Sequence, residues 1–112
     1  SENVYKRQDH FLWLDCDHPE LDACAILRKG QEATVFAAFN FGDTELKDYE
    51  LTLPGKGKIT PLLNSDWNCF GGRTARPKAL RSKTTTGSVK LTLAPYSAQL
   101  YRFEPAVEKE TK

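Results

Sequence analysis

The sequence predicts an all-β fold, an antiparallel Greek-key-like β-sandwich of about seven to eight strands. Short segments in which apolar and polar side chains alternate recur along the 112-residue chain, as expected of strands with one buried face. Turn-forming proline and glycine residues separate many of these segments, and no segment has a convincing helical pattern. A chain of this length can bury roughly two-thirds of its unfolded surface in one domain. We therefore expect a single β-domain over residues 11–105, with a polar lead-in at 1–10 and a charged tail at 106–112.

The central strand is predicted at residues 34–42, TVFAAFNFG. This run is nearly unbroken in its apolar character, rich in β-branched and aromatic residues, and closed by glycine. Its length of roughly nine residues favours a strand over a buried helix. We expect it to be buried on both faces, at the centre of a sheet or sandwich. Residues 24–28 form the strand before it, and the Lys-Gly-Gln turn at 29–31 makes the two a hairpin.

Further strands are predicted on both sides of this hairpin. In residues 49–53 and 89–93 apolar and polar side chains alternate with the period of a half-buried strand. Residues 98–103 form the last predicted strand, and a compact apolar patch at residues 11–14 precedes the first.

Two predictions concern the middle of the chain. Residues 59–63 are a short strand that Pro61 places at the edge of a sheet, because proline cannot donate to the hydrogen-bond ladder. Residues 73–87 are basic and threonine-rich without periodicity, so they are predicted to be a long surface loop. This loop is expected to be solvated, or to dock on an acidic surface of a partner domain.

Charge and cysteine content exclude several classes of function. The net charge is +1 and the isoelectric point about 7.7, so overall charge predicts neither nucleic acid nor an anionic membrane as a partner. No apolar run approaches the ~20 residues of a membrane helix. Residues 1–10 are polar and show no signal peptide. The odd set of Cys16, Cys24 and Cys69, without a Cys-x-x-Cys pair, favours reduced thiols in a cytoplasmic protein and argues against zinc.

The acidic turn at residues 15–20, DCDHPE, collects the most metal-ligand side chains. Its spacing matches neither a calcium loop nor a zinc finger, so a solvated turn is the preferred interpretation. Neither His10 nor His18 belongs to a recognisable Ser/His/Asp or Cys/His arrangement. We expect no cofactor, no bound metal and no catalysis by this chain alone.

The loop at residues 64–72, NSDWNCFGG, allows two interpretations. Trp67 and Phe70 could stack on sugar faces, with Asn64 and Asp66 supplying hydrogen bonds. Alternatively, the two rings cap the end of the sandwich while the Asn and Asp side chains bond the turn backbone, which is the more common use of such residues. Together with Trp13, these four residues are the candidate contacts to carbohydrate or to another domain.

Several motifs, taken in order, resemble a known family. They are FLWLD at 11–15, VFAAFNF at 35–41, LNSD at 63–66, FGG at 70–72, VKLTLAP at 89–95 and AQL at 98–100. Their order and spacing are similar to the C-terminal all-β domain of the α-amylase superfamily (glycoside hydrolase family 13), most of all that of 1,4-α-glucan (glycogen) branching enzymes. The chain departs from the family after Gly72, where a basic loop at 73–83 replaces a short Ser/Gly-rich continuation.

The resemblance implies a non-catalytic domain. Branching enzymes cleave an α-1,4-glucan and re-attach the chain through an α-1,6 link, with three carboxylates on a (β/α)8 barrel. None of these carboxylates lies in the C-terminal domain. The implied role, in glycogen biosynthesis in the cytoplasm, is to pack on and stabilise the barrel of the same polypeptide, with α-1,4-glucan as a further contact.

Two alternatives remain open at this point. One is a carbohydrate-binding module with Trp67 and Phe70 as its sugar platform. The other is the equivalent domain of a different family member, such as an amylase, a debranching enzyme or a trehalose-forming enzyme.

Overall fold

The computed structural model describes residues 10–15 and 22–107, apart from the side chains of His10 and Asp15. Nearly all regular structure within these ranges is β-strand, as the sequence predicts. The strands are β1 His10–Asp15, β2 Ala23–Lys29, β3 Thr34–Asn40, β4 Leu46–Thr52, β5 Gly57–Asn64, β6 Lys83–Thr85, β7 Ser88–Leu93 and β8 Ser97–Pro105, and one short 3-10 helix spans Asn68–Phe70.

The strands form two antiparallel sheets of unequal size. The larger has six strands in the order β1-β2-β3-β8-β5-β6, and the smaller consists of β4 and β7. The predicted hairpin is present as β2 and β3, which pair in one continuous register from Ala23 opposite Asn40 to Lys29 opposite Thr34. This arrangement confirms the predicted all-β sandwich and its number of strands.

The core lies between the two sheets and is built from the alternation that the sequence shows. In β7, Val89, Leu91 and Leu93 are buried while the residues between them are exposed. The facing sheet contributes the inward side chains of β2, β3, β5 and β8. The buried apolar residues of this cluster are Ala23, Ala25, Leu27, Phe36, Ala38, Tyr49, Leu51, Leu53, Ile59, Val89, Leu91, Leu93 and Phe103.

The prediction that the central run is buried on both faces is wrong. In β3, Phe36, Ala38 and Asn40 are buried, but Val35, Ala37 and Phe39 on the opposite face are only half-buried. The reason is geometric, because the two-stranded sheet lies against a single face of the six-stranded sheet. The predicted central position of this strand is confirmed, since β3 lies inside the sheet between β2 and β8.

Two predictions for the middle of the chain need correction. Lys83–Thr85, assigned to the surface loop, form β6 and pair with the first half of β5. Therefore β5 lies between β8 and β6 and is not the edge strand of the sheet. Pairing with β6 ends at Ile59, so Pro61 lies beyond it, and the register of β5 against β8 shifts between Pro61 and Leu63.

Asn40, at the end of β3, ties the two sheets together. Its side chain is buried, and its Nδ2 lies 3.2 Å from the carbonyl oxygen of Leu93 and 3.0 Å from that of Ala94, at the end of β7. The same group donates to the Thr44 carbonyl oxygen at 2.9 Å, and Oδ1 accepts the Gly42 N–H at 2.9 Å. One buried amide thus has both of its polar atoms satisfied by backbone groups of the β3–β4 connection and of the end of β7.

A second polar side chain that joins the two sheets is Gln99, which lies on β8 two residues after Ser97, the residue opposite Asn40. Gln99 is buried, and its Nε2 donates to the Thr92 carbonyl oxygen of β7 at 2.7 Å. Its Oε1 accepts the Tyr101 hydroxyl at 2.7 Å, and the Tyr101 ring stacks on Phe36 with centroids 4.9 Å apart. Desolvation by burial raises the pKa of Tyr101 to about 12, so this phenol remains a neutral donor at physiological pH.

We expect Asn40→Ala to lower the free energy of unfolding by about 2–5 kcal/mol, because it removes four hydrogen bonds to the backbone at once, including the buried bond to Leu93. Urea unfolding followed by tryptophan fluorescence measures this loss. Asn68→Ala is the matched control, since Asn68 is exposed, and it should change stability by less than about 0.5 kcal/mol. Equal losses in the two variants would contradict the role assigned to Asn40.

Candidate functional site

The loop that follows β5 is held by its own side chains. Asn64 Oδ1 accepts the Asp66 N–H at 2.8 Å, and the Asn64 carbonyl oxygen accepts the Trp67 N–H at 3.0 Å. Asp66 Oδ2 accepts the Thr74 hydroxyl at 2.6 Å, while the Asp66 carbonyl oxygen accepts the Thr74 N–H at 2.9 Å. Asn64 and Asp66 therefore bond within the loop, as the turn interpretation of these residues describes.

The pair of glycines closes this loop. The 3-10 helix Asn68–Phe70 ends at Gly71, whose φ of 89° is in the left-handed region that favours glycine. A Cβ atom at Gly72 would lie 1.9 Å from the Asp66 carbonyl oxygen, so the close approach of the two backbones requires glycine there. The Gly72 N–H donates to the Trp67 carbonyl oxygen at 3.1 Å, which fixes the loop around the tryptophan.

The two aromatic side chains of the loop have different environments. Trp67 is 5% exposed, and the guanidinium carbon of Arg76 lies 5.6 Å from its ring centroid, a cation–π distance. Phe70 is 59% exposed. In this conformation Phe70 presents its ring to solvent, whereas the Trp67 ring is buried beneath Arg76.

Trp13 lies in another part of the molecule. It is 64% exposed on β1, opposite Ile26 of β2, on the face of the six-stranded sheet that the smaller sheet leaves uncovered. Three strands separate β1 from β5, which leads into the loop. At ~4.8 Å per strand the two strands are about 19 Å apart, so the structure does not bring Trp13 together with Asn64, Asp66, Trp67 and Phe70.

A polar cavity of about 730 Å³ includes Asp66 and residues that sequence reasoning did not assign to a site. They come from the connection between β3 and β4, from the end of the glycine loop and from the turn before β8. The lining residues are Asp43, Glu45, Asp66, Arg73, Thr74, Ala94 and Pro95. Because three separate turns supply these residues, no local sequence pattern signals the cavity. Its carboxylates and guanidinium can accept and donate hydrogen bonds to a polyhydroxylated ligand.

Two features are absent from residues 10–15 and 22–107, the ranges that the structure describes. Within those ranges no group of three or more His, Cys, Asp or Glu side chains is placed to hold a metal ion. Most of the acidic turn that the sequence singled out, residues 16–20, lies outside them. The same ranges contain no helix with the length and apolarity needed to cross a membrane.

The fold and the loop together define a β-sandwich domain in which Asn64 and Asp66 form hydrogen bonds within the loop itself. Residues 13–104 match the family model described as "Alpha amylase, C-terminal all-beta domain", and the chain belongs to that family. This membership confirms the resemblance seen in the sequence motifs.

Several similar proteins are named 1,4-alpha-glucan branching enzyme GlgB. That of Mycobacterium ulcerans is 33% identical over 63 residues, which cover 55% of this chain and 9% of the relative. That of Lactiplantibacillus plantarum is 32% identical over 71 residues, covering 58% of this chain and 11% of the relative. That of Mycobacterium tuberculosis strain H37Rv is 32% identical over 63 residues. The match thus spans about a tenth of the length of these relatives.

We expect Gly72→Ala to destabilise the domain by about 1–3 kcal/mol, because its Cβ overlaps backbone atoms that cannot move without opening the loop. Gly55→Ala is the matched control, since a Cβ there meets no atom within 4 Å and Gly55 has no positive φ. Thermal unfolding followed by circular dichroism compares the two. If both glycines tolerated alanine equally, the close packing of the loop would be refuted.

Proposed function

We propose that this chain is the non-catalytic C-terminal domain of a cytoplasmic 1,4-α-glucan branching enzyme that acts in glycogen biosynthesis. In this proposal it packs on and stabilises a catalytic (β/α)8 barrel of the same polypeptide. The proposal rests on the family of this chain, together with the small share of its relatives' length that it covers. The chain belongs to a C-terminal domain family, and its relatives named as branching enzymes are about ten times as long as the matched region.

The described side chains are consistent with a domain that performs no chemistry of its own. The carboxylates around the polar cavity are Asp43, Glu45 and Asp66. Asp66 is engaged with Thr74, and Asp43 and Glu45 are exposed, so water solvates both. The reaction is therefore assigned to the remainder of the polypeptide.

The purified 112-residue chain should form no α-1,6 links when incubated with an α-1,4-glucan. The full-length gene product, assayed in parallel by debranching the product and measuring chain lengths, should form them. Branch points produced by the pure chain would contradict the proposal, and so would a full-length product that lacks branching activity.

A glucan contact within this domain is a second candidate function, and the cavity that contains Asp66 and Arg73 favours it. Carboxylates and arginine are suited to the hydroxyls of a sugar, and Pro95 and Ala94 supply an apolar wall. Such an open polar surface site should bind weakly, with a Kd of roughly millimolar order.

Titration with maltoheptaose, followed by the amide NMR spectrum, tests this contact. Shifts should saturate and centre on residues 43–45 and 73–74. They should be lost in Arg73→Ala and retained in Lys90→Ala, a control on the outer face of the small sheet. If the amide shifts did not change up to tens of millimolar sugar, the glucan contact would be refuted. Support of the barrel would then be the one proposed role of this domain.

A further inference from the structure

An unbroken row of apolar side chains crosses the uncovered face of the six-stranded sheet. The strand registers place Trp13 opposite Ile26, Ile26 opposite Ala37, Ala37 opposite Leu100, and Leu100 opposite Leu63. These five residues, here named the apolar row, belong to β1, β2, β3, β8 and β5. Trp13 and Leu63 at its two ends are exposed, and the three between them are half-buried.

Aromatic side chains extend the apolar row on both sides. On one side Phe39 lies opposite Cys24 and Ala98, and it stacks on the exposed Phe41 with centroids 5.8 Å apart. On the other side Phe11, also exposed, lies on β1 opposite Arg28. The face measures about 19 Å across the strands and about 13 Å along them before side-chain width is added. The largest contiguous apolar patch of a monomer, typically about 300–600 Å², is often an interaction site.

The outer face of the small sheet has the opposite character. Its outward residues are Glu50 and Thr52 on β4, facing Lys90 and Ser88 on β7. Ser88 Oγ donates to Glu50 Oε2 at 2.7 Å on this exposed surface. The molecule therefore has one outer face suited to water and one suited to an apolar neighbour.

We propose that the face around the apolar row is the surface by which this domain docks on the preceding part of its own polypeptide. The inference rests on the proposed function and deepens it, because it assigns the contact with the catalytic barrel to one face and to named residues. The complementary surface is an apolar patch with carboxylates along one border. Those carboxylates meet Arg102, which lies opposite Val35 in the register and is exposed.

The position of β1 favours this occupant over a second copy of the domain. β1 is an edge strand of the large sheet, it is the first of the strands that the structure describes, and it carries Phe11 and Trp13 on the apolar face. In a longer polypeptide the preceding domain would be tethered beside this face. Tethering makes docking intramolecular, with an effective concentration on the order of millimolar for a short linker. A separate copy would have no such advantage.

Hydroxyl-radical footprinting with mass spectrometry tests the docking surface. The 112-residue chain and the full-length gene product are oxidised under the same conditions. We expect Phe11 and Trp13 to react severalfold more slowly in the full-length protein. Tyr96, which is 72% exposed at the turn before β8, is the internal control and should react equally in both. Equal reactivity of Trp13 in the two proteins overturns the assignment.

The outcomes separate this inference from the function on which it rests. A full-length protein that branches glucan but leaves Trp13 reactive refutes the docking face alone. A full-length protein that protects Trp13 but forms no branches refutes the proposed function alone. The isolated chain is also sedimented at the concentrations used for footprinting. If it is a dimer there and its Trp13 is oxidised slowly, the face belongs to a contact with a second copy, and the proposal is overturned.

A pair of substitutions gives an independent result. Trp13→Glu should lower the midpoint of thermal unfolding of the full-length protein and leave that of the isolated chain unchanged, because Trp13 is already exposed there. Thr52→Glu, on the polar face of the small sheet, should change neither. An unchanged midpoint for Trp13→Glu in the full-length protein also counts against the docking face.

Discussion

The structure depends on one constraint, which is that a two-stranded sheet can cover only one face of a six-stranded sheet. β4 and β7 pack against the inward side chains of β2, β3, β5 and β8, and this layer contains the buried cluster. The opposite face of the large sheet has no second layer within the described residues, yet its strands carry Ile26, Val35, Phe39 and Leu100 there. An asymmetric sandwich with apolar residues on both faces of its large sheet is the pattern expected of a domain that completes its burial against another domain.

Hydrogen bonds from polar side chains join the two sheets. Asn40 and Gln99 reach from β3 and β8 to the carbonyl oxygens of β7, so both sheets are joined by hydrogen bonds inside the apolar layer. The Asn40 bond is buried and the Gln99 bond is partly buried, so losing either hydrogen bond is costly. Such directional bonds fix the relative position of the sheets more specifically than apolar packing does. The loop after β5 is likewise stabilised internally, since Asn64, Asp66 and Gly72 all bond or pack within it. These residues therefore support the fold whether or not the neighbouring cavity holds a glucan.

The sequence predicted those features that local patterns encode. Alternation located β7 and most of β4, and the Lys-Gly-Gln turn located the hairpin of β2 and β3. The predicted last strand, residues 98–103, falls within β8. β6 was missed because Lys83–Thr85 has no apolar residue and is ordered only by pairing with β5. The expected burial of β3 on both faces was wrong for the domain alone, because an apolar run does not reveal what covers it. Trp67 and Phe70 looked equivalent in the sequence, but packing buries one and exposes the other. The polar cavity could not be foreseen, since its residues meet only after three turns converge.

The most direct test of this account is the mass of the native polypeptide that carries the domain, measured by immunoblot of the source cells with an antibody to these residues. The account predicts a single band several times larger than 12.6 kDa, the mass of this chain. A band at 12.6 kDa would mean that no barrel belongs to the same polypeptide. It would contradict both the proposed function and the docking of the apolar face within one chain.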